Sequence, residues 1–168
     1  MAYISFQPSD FFSPKLYTGT EAELAVTGAG FQPDLVWLKC REATESQLWF
    51  DSVRGATKYI ESNDTPASTT NAESLKSFDS DGFTLGTMVG SNKSGNTYAS
   101  WNWKAGTTSG IAGSPSITPS SYSFNATSGI SIVTYTGNSG GGVTVPHGLG
   151  AVPNMVIVKK LNATSSWF

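Results

Sequence analysis

A short segment occurs twice in this chain, and it favours a fold that is built from repeated units. The first copy is residues 28–39, GAGFQPDLVWLK, and the second is residues 148–159, GLGAVPNMVIVK, at an offset of 120 (148 − 28). In each copy a Gly-x-Gly turn is followed by a proline, an apolar run and a lysine. Identical pairs at this offset are Gly28/Gly148, Gly30/Gly150, Pro33/Pro153, Val36/Val156, Lys39/Lys159, Ala43/Ala163, Thr44/Thr164 and Ser46/Ser166. Both copies therefore predict a turn that leads into a strand.

The match also extends upstream, where Tyr17-Thr18-Gly19 resembles Tyr135-Thr136-Gly137 at an offset of 118 (135 − 17). The second copy stops at Trp167-Phe168, where another strand is expected to begin. Two interpretations stay open. Either the sequence is a fragment of a longer repeat protein, which we favour, or the partial copy adds its strands to the first.

Short apolar runs separated by turn residues predict strands rather than helices. Charged residues make up only 13% of the chain, against about 25% in an average globular protein, and Gly, Ser, Thr and Asn replace them. The predicted strands are residues 35–38, 47–50, 58–60, 83–85, 97–103, 130–135, 143–145 and 155–158. We expect an all-β fold, an antiparallel β-sandwich of jelly-roll or lectin-like type, with a partial second repeat at the C-terminus.

Turn chemistry sets the predicted domain organisation. Asp79-Ser80-Asp81-Gly82 predicts a tight hairpin, because Asp-Gly suits positive φ angles. Thr70-Asn71-Ala72-Glu73, followed by Leu75 and Phe78, resembles a capping box and predicts a helix of a turn or two. Residues 104–121 contain mainly Gly, Ser, Thr and Pro, as a linker or long surface loop does. The predicted parts are an N-terminal segment 1–14, a β-sandwich unit 15–106, a linker 107–121 and the start of a second repeat 122–168.

Charge and hydropathy argue against several functional classes. The net charge is −2 and the ten basic residues are dispersed, whereas nucleic-acid binding needs a dense basic surface. No apolar run approaches the length of a membrane span, and the N-terminus lacks the features of a signal peptide. We therefore expect no nucleic-acid partner, no membrane insertion and synthesis in a cytoplasm. The single cysteine, Cys40, is expected to be a buried thiol.

Few residues suggest chemistry. The lone histidine, His147, and the G-x-S-x-G match around Ser139 lack the context of a catalytic triad, since a strand, not a helix, is predicted to follow. One Cys and one His cannot make a zinc site, and the Asp79–Asp81 loop lacks the other ligands of a calcium loop. Asp51 and Arg54 are interpreted as an ion pair that fixes a loop. We expect no enzyme activity, no catalytic residue, no metal and no cofactor.

The strand at residues 97–103 carries the best candidates for ligand contact. Alternation places Ala99, Trp101 and Trp103 on one face and Tyr98, Ser100 and Asn102 on the other. Tyr98, Trp101 and Trp103 are candidate glycan contacts, because aromatic rings stack on sugars. The favoured interpretation is that the two tryptophans belong to a sandwich core.

Several motifs together resemble a repeat family of virion proteins from marine tailed phages, particularly those of cyanobacteria. They are GFQPDLVWLK, FDSVRGATKYI, SFDSDGFTLG, SGNTYASWNWKAG and IVTYTGN…HGLGAVPNMVIVKK, which take in most of the chain. The resemblance implies a structural tail-fibre or appendage protein on the virion exterior, bound to other virion proteins. We expect its β modules to assemble side by side as a homotrimer about a cyclic axis. The resemblance also implies that the N-terminal segment docks onto the particle, with Phe6, Phe11 and Phe12 as candidate docking residues. Two alternatives stay open: a capsid decoration, cement or head-fibre protein, and a lectin-like module that binds host surface glycans.

Overall fold

The computed structural model describes residues 6–168, and antiparallel strands make up almost all of their regular structure. The strands are β1 (Phe12–Thr18), β2 (Leu24–Thr27), β3 (Leu35–Cys40), β4 (Leu48–Asp51), β5 (Lys58–Glu61), β6 (Thr69–Thr70), β7 (Leu75–Asp79), β8 (Gly82–Leu85), β9 (Thr97–Trp103), β10 (Ser121–Asn125) and β11 (Ile130–Thr134). A 3-10 turn (Pro8–Asp10) and a single helical turn, α1 (Val89–Asn92), complete these elements. Within residues 6–168, no helix has the length and apolar character needed to cross a membrane.

Two sheets face each other across one hydrophobic core. A six-stranded sheet has the order β1-β9-β3-β4-β5-β6, and a three-stranded sheet has the order β2-β8-β7. The core combines side chains of both sheets, as in a β-sandwich: Val26, Val36, Leu38, Leu48, Phe50, Tyr59, Leu75, Phe83 and Leu85. The predicted all-β, antiparallel sandwich is confirmed.

Strand β3 shows how the sequence pattern becomes sheet structure. It lies between β9 and β4, so its backbone is hydrogen-bonded on both edges. Val36, Leu38 and Cys40 are buried on the inner side. The intervening residues, including Trp37 and Lys39, are half-buried on the outer side. The expectation that Cys40 is a buried thiol is confirmed.

The hairpin predicted at residues 79–82 is confirmed. Asp79 pairs with Gly82, and the two strands are β7 and β8. Gly82 has φ +148°, and a Cβ there would lie 1.9 Å from the carbonyl oxygen of Val26. Only glycine fits a backbone that approaches β2 this closely.

The helix predicted after residue 70 is wrong. Thr69–Thr70 is strand β6, and Leu75–Asp79 is strand β7. A register shift between Leu75 and Ser77 interrupts the pairing with β8, as a β-bulge does. The shift lets Leu75 and Phe78 contact the same core although they are three residues apart. That spacing imitates a helical period, which explains the error.

The second copy of the repeat has the turn but not the strand. Gly148 and Gly150 both have φ +72°, as Gly28 and Gly30 both have φ +83°. Residues 143–145 and 155–158, predicted as strands, are irregular. Val156 is 68% exposed, whereas its counterpart Val36 is fully buried. A strand needs hydrogen-bonding neighbours. Strand β3 has one on each edge, whereas residues 155–158 belong to no sheet and Val158 exchanges two backbone hydrogen bonds with Phe168.

The predicted division into four parts stays a prediction, and the structure shows how the residues near two of its boundaries are placed. The boundary at residue 14 falls inside β1, whose first residue, Phe12, pairs with Trp103. Residues 1–5 of the predicted docking segment lie outside the described residues. The predicted linker has no regular strand before β10, but Ala105 and Ile117 in or beside it are buried. Ile117 donates its backbone N–H to the carbonyl oxygen of Thr144 at 3.1 Å, so part of the predicted linker is hydrogen-bonded to a later segment.

Candidate binding surface

The outer side of the six-stranded sheet carries a continuous set of aromatic rings. We call Phe12, Trp37, Trp49, Trp101 and Trp103 the outer aromatic face. Their arrangement follows from the side-chain alternation of β-strands and the register of neighbouring strands. Trp37 of β3 pairs with Trp101 of β9 on one side and with Trp49 of β4 on the other.

The rings of this face contact one another across the strands. The ring centres of Trp37 and Trp101 are 5.2 Å apart, and those of Trp37 and Trp49 are 5.5 Å apart. Phe12 and Trp103 form a second pair at 5.1 Å. At the edge of the sheet, Phe12 and Leu16 of β1 are 37% and 70% exposed. The result is an apolar, half-exposed surface of the kind that marks interaction sites.

Two indole nitrogens of this face, those of Trp37 and Trp49, are not available to a ligand. Nε1 of Trp37 and Nε1 of Trp49 are buried, and neither donates a hydrogen bond to another described residue. Lys39, on the same side of β3 as Trp37, donates to the carbonyl oxygens of Ala43 and Glu45, each at 3.3 Å. Trp37 and Trp49 therefore offer ring surface for packing or stacking rather than indole hydrogen bonds.

The structure separates the three candidate glycan contacts. The predicted alternation of β9 is confirmed, but the assignment of its faces is reversed. Tyr98 is fully buried on the inner side, so its ring is not available to a sugar. Trp101 and Trp103 are half-buried on the outer side, and the interpretation that they form the sandwich core is wrong. Both tryptophans remain candidate glycan contacts.

The candidate docking residues also divide. Phe6 and Phe11 pack edge to face with ring centres 5.5 Å apart, and Phe6 is 36% exposed. Phe12 instead belongs to the outer aromatic face through Trp103. A docking role for the three phenylalanines stays a prediction.

The residues considered for catalysis are not brought together. His147 lines an open groove of about 630 Å³ among loops, beside proline, glycine and alanine residues. Its Nδ1 accepts a hydrogen bond of 3.2 Å from the backbone N–H of Leu149. Ser139 lies in a glycine-rich loop rather than on a strand-to-helix turn. Among residues 6–168, no cluster of His, Cys, Asp and Glu side chains could hold a metal ion.

Almost the whole chain, and not one site alone, matches a known protein family. A family model described as "Domain of unknown function (DUF7483)" matches residues 7–168. The chain belongs to this family. The matched range includes β1, the whole sandwich and both copies of the repeat. No curated protein and no solved structure gives a significant match to the DUF7483 chain.

Both repeat copies in the DUF7483 chain contain the same lysine-centred turn. In the first copy, Lys39 Nζ donates to the carbonyl oxygen of Glu45, six residues later. In the second, Lys159 Nζ donates to the carbonyl oxygen of Ser165, also six residues later, at 3.1 Å. The two lysines thus share this one hydrogen bond, while their other acceptors differ: Ala43 for Lys39, and Thr65 and Lys160 for Lys159.

Strands β10 and β11 form an antiparallel hairpin near the C-terminus. A buried carboxylate joins the sandwich of the DUF7483 chain to this C-terminal hairpin. Asp34 is 6% exposed, and its Oδ1 accepts hydrogen bonds from Ser52 Oγ at 2.6 Å and Ser123 Oγ at 2.9 Å. Its Oδ2 accepts the backbone N–H of Ala105 at 2.8 Å. Sequence reasoning missed this residue, although an Asp directly after a proline and before a central strand was a local signal.

The predicted ion pair between Asp51 and Arg54 is confirmed. Arg54 Nε lies 2.5 Å from Asp51 Oδ2, and both side chains are largely buried. Arg54 also donates to the carbonyl oxygen of Trp49 at 2.9 Å. The pair closes the turn after β4, so the two charges neutralise each other and stabilise this turn.

Two tyrosines, Tyr17 and Tyr98, pack together beside α1. Tyr17 and Tyr98 stack with ring centres 5.0 Å apart and an angle of 7° between their planes. Burial raises the pKa of Tyr98 to about 12, and it raises the pKa of Tyr17 well above its ordinary value, with a contribution from Tyr98. Their hydroxyls donate to the carbonyl oxygens of Ser91 and Val89. These groups anchor α1 and stay neutral, as structural phenols do.

Proposed function

We propose that this chain is a non-enzymatic structural protein of a tailed-phage virion, part of a tail fibre or another exterior appendage that contributes to host attachment. The observation that carries the proposal is the outer aromatic face. It is a broad apolar surface on a rigid sheet, which suits protein assembly better than chemistry. The resemblance of the repeat motifs to virion proteins of marine phages is the reason for placing the protein on a phage particle.

The use of the buried ionisable groups supports this proposal. Asp34 binds backbone and hydroxyl groups of the same chain, and Asp51 pairs with Arg54. These carboxylates are occupied within the fold, so neither is poised as a general acid or base toward a ligand. The accessible features are aromatic and aliphatic surfaces, including Leu16 and Val156. Contact between proteins follows more readily from such features than catalysis does.

Cryo-EM of intact particles tests this proposal. We expect density for the sandwich on the exterior of the tail, in the threefold arrangement of a homotrimer. Density on the capsid surface would instead favour the decoration, cement or head-fibre alternative. Absence of the protein from purified particles would contradict every virion assignment.

Carbohydrate binding is a second candidate function, which the half-exposed rings of Trp101 and Trp103 favour. Rings fixed by neighbouring strands can stack on the apolar face of a sugar with little loss of side-chain entropy.

We expect Trp101→Ala to weaken glycan binding about tenfold or more, the effect of losing one anchoring aromatic. Binding to a glycan array measures it. Tyr98→Phe is the matched control, because that ring lies on the inner side and should leave binding unchanged. A wild-type protein that binds no glycan would remove this candidate and leave the structural role intact.

A further inference from the structure

One aromatic residue outside the sheet already packs on the outer aromatic face. Trp167 meets Trp49 edge to face, with ring centres 5.4 Å apart, and its Nε1 donates to the carbonyl oxygen of Asp64 at 2.8 Å. Backbone hydrogen bonds from Ser68 N to Leu161 O and from Ser165 N to Thr65 O hold the same C-terminal segment beside β5 and β6. The edge of the face is thus covered by the second copy of the repeat.

Trp167 is the counterpart of Trp49 in that second copy. The dipeptide Trp49-Phe50 recurs as Trp167-Phe168 at an offset of 118 (167 − 49). The Gly-x-Gly turn and the lysine-centred turn match at 120, so the second copy is two residues shorter between Ser165 and Trp167. The shared bonding of Lys39 and Lys159 fixes this alignment in the structure.

The contact between Trp49 and Trp167 is therefore one between equivalent residues of two repeat units. A surface that binds its own equivalent can form a twofold contact between two molecules. We propose that the outer aromatic face is the contact surface between two copies of this repeat unit, which meet through Trp49 of each. Within one chain, Trp167 occupies the part of that surface that Trp49 of another molecule would contact.

The remaining part of the face is of suitable character and size. Phe12 and Leu16 at the β1 edge are exposed. The four adjacent strands that carry the face, β1, β9, β3 and β4, span about 14 Å at the usual strand spacing. Such a face lies at the small end of protein interfaces. A single contact is expected to be weak, and repetition along an appendage would strengthen it.

The test is to remove Trp167 from the full chain and measure self-association by sedimentation equilibrium. Trp167→Ser uncovers Trp49, so we expect a concentration-dependent species of twice the wild-type mass. Phe168→Ser is the matched control, because that side chain is 78% exposed and its change leaves Trp49 covered. The double variant Trp49→Ser/Trp167→Ser should return to the wild-type mass. Circular dichroism checks that each variant is folded.

A peptide of residues 161–168 provides a second measurement that does not depend on the folding of the Trp49 variant. Added in excess, it should dissociate the Trp167→Ser assembly, whereas the same peptide with Ser in place of Trp167 should not. The inference is overturned if Trp167→Ser keeps the wild-type mass at the highest soluble concentration, if its mass rises threefold, or if the peptide has no effect. The inference deepens the proposed assembly role and rests on it. Any of these failures would still leave the location on particles to be decided separately by cryo-EM.

Discussion

Asp34 is a buried carboxylate that contributes to the connection between the sandwich and the β10–β11 hairpin. Its carboxylate accepts hydrogen bonds from Ser52 on one side and from Ser123 and Ala105 on the other. Ser123 is fully buried, so water cannot replace a lost acceptor there. A buried donor without a partner costs more than the bond itself contributes.

We expect Asp34→Ala to lower the free energy of unfolding by about 3 kcal/mol, because it leaves buried donors unpaired. Asp34→Asn keeps one acceptor oxygen and should lower it by about 1 kcal/mol. Urea denaturation measures both changes. Asp10→Ala, at an exposed position in the 3-10 turn, is the control and should change stability by less than about 0.5 kcal/mol. Equal effects of Asp34→Ala and Asp10→Ala would contradict this role.

At the scale of an element, the β7–β8 hairpin holds the first Gly-x-Gly turn in place through Asp81. The carboxylate of Asp81 accepts the N–H of Gly30 at 2.6 Å and the N–H of Gly28 at 3.0 Å. These backbone bonds, first that of Gly30 and then that of Gly28, hold the pKa of Asp81 below its ordinary value, and Lys15 adds to the effect. The hairpin and the repeat turn are therefore linked by a charge.

This linkage predicts a pH dependence. A folded-state pKa below the unfolded one means that the stabilisation is present above the unfolded pKa of about 3.9 and is lost as the pH falls through the folded pKa. We expect Asp81→Ala to lower Tm at neutral pH, and the difference from wild type to shrink below about pH 4. Thermal unfolding followed by circular dichroism measures it. Ser80→Ala, in the same exposed turn, should give a difference that does not vary with pH, and a constant difference for Asp81→Ala would contradict the linkage.

At the scale of the whole molecule, the two repeat copies differ in how much of their backbone is paired. Strand β3 is paired on both edges, whereas residues 143–157 contain no regular structure. Backbone amides that are hydrogen-bonded within a core exchange only through larger unfolding events.

We expect hydrogen exchange followed by mass spectrometry to show slow exchange in β3 and β9, and fast exchange in residues 143–157. The amides at residues 158–168 should be intermediate, because some of them bond to Thr65 and to each other. Protection of residues 155–158 equal to that of β3 would mean that the second copy forms its strand in solution.

Much of the fold could be predicted because its signals are local. Alternation along β9 placed its residues on two faces, the Asp-Gly pair located the β7–β8 hairpin, and the repeat located two turns with matching φ angles. The predictions that failed concern contacts between residues far apart in the chain. The bulge in β7 gave Leu75 and Phe78 a helical spacing, and nothing local shows that a bulge, rather than a helix, brings them to one core.

The candidate surface was predicted only in part. The sequence identified Trp101 and Trp103 and the face that they share with Ala99. Which face is covered depends on where the three-stranded sheet of β2, β7 and β8 lies. Nothing in the sequence of β9 shows on which of its sides that sheet packs. Trp37, Trp49 and Trp167 joined the surface only through strand register and the path of the C-terminal segment.

By itself, the sequence determined that this protein is built of short strands separated by turns and that one Gly-x-Gly motif occurs twice in it. Composition, turn residues and period-two alternation act over a few residues, so they can be recognised without a fold. The tertiary structure decided which aromatic residues face outward, and it placed residues 155–158, the counterpart of β3, outside the sheets. It also placed Trp167 on its own counterpart, Trp49. Those outcomes depend on contacts between residues far apart in the chain, and packing alone determines them.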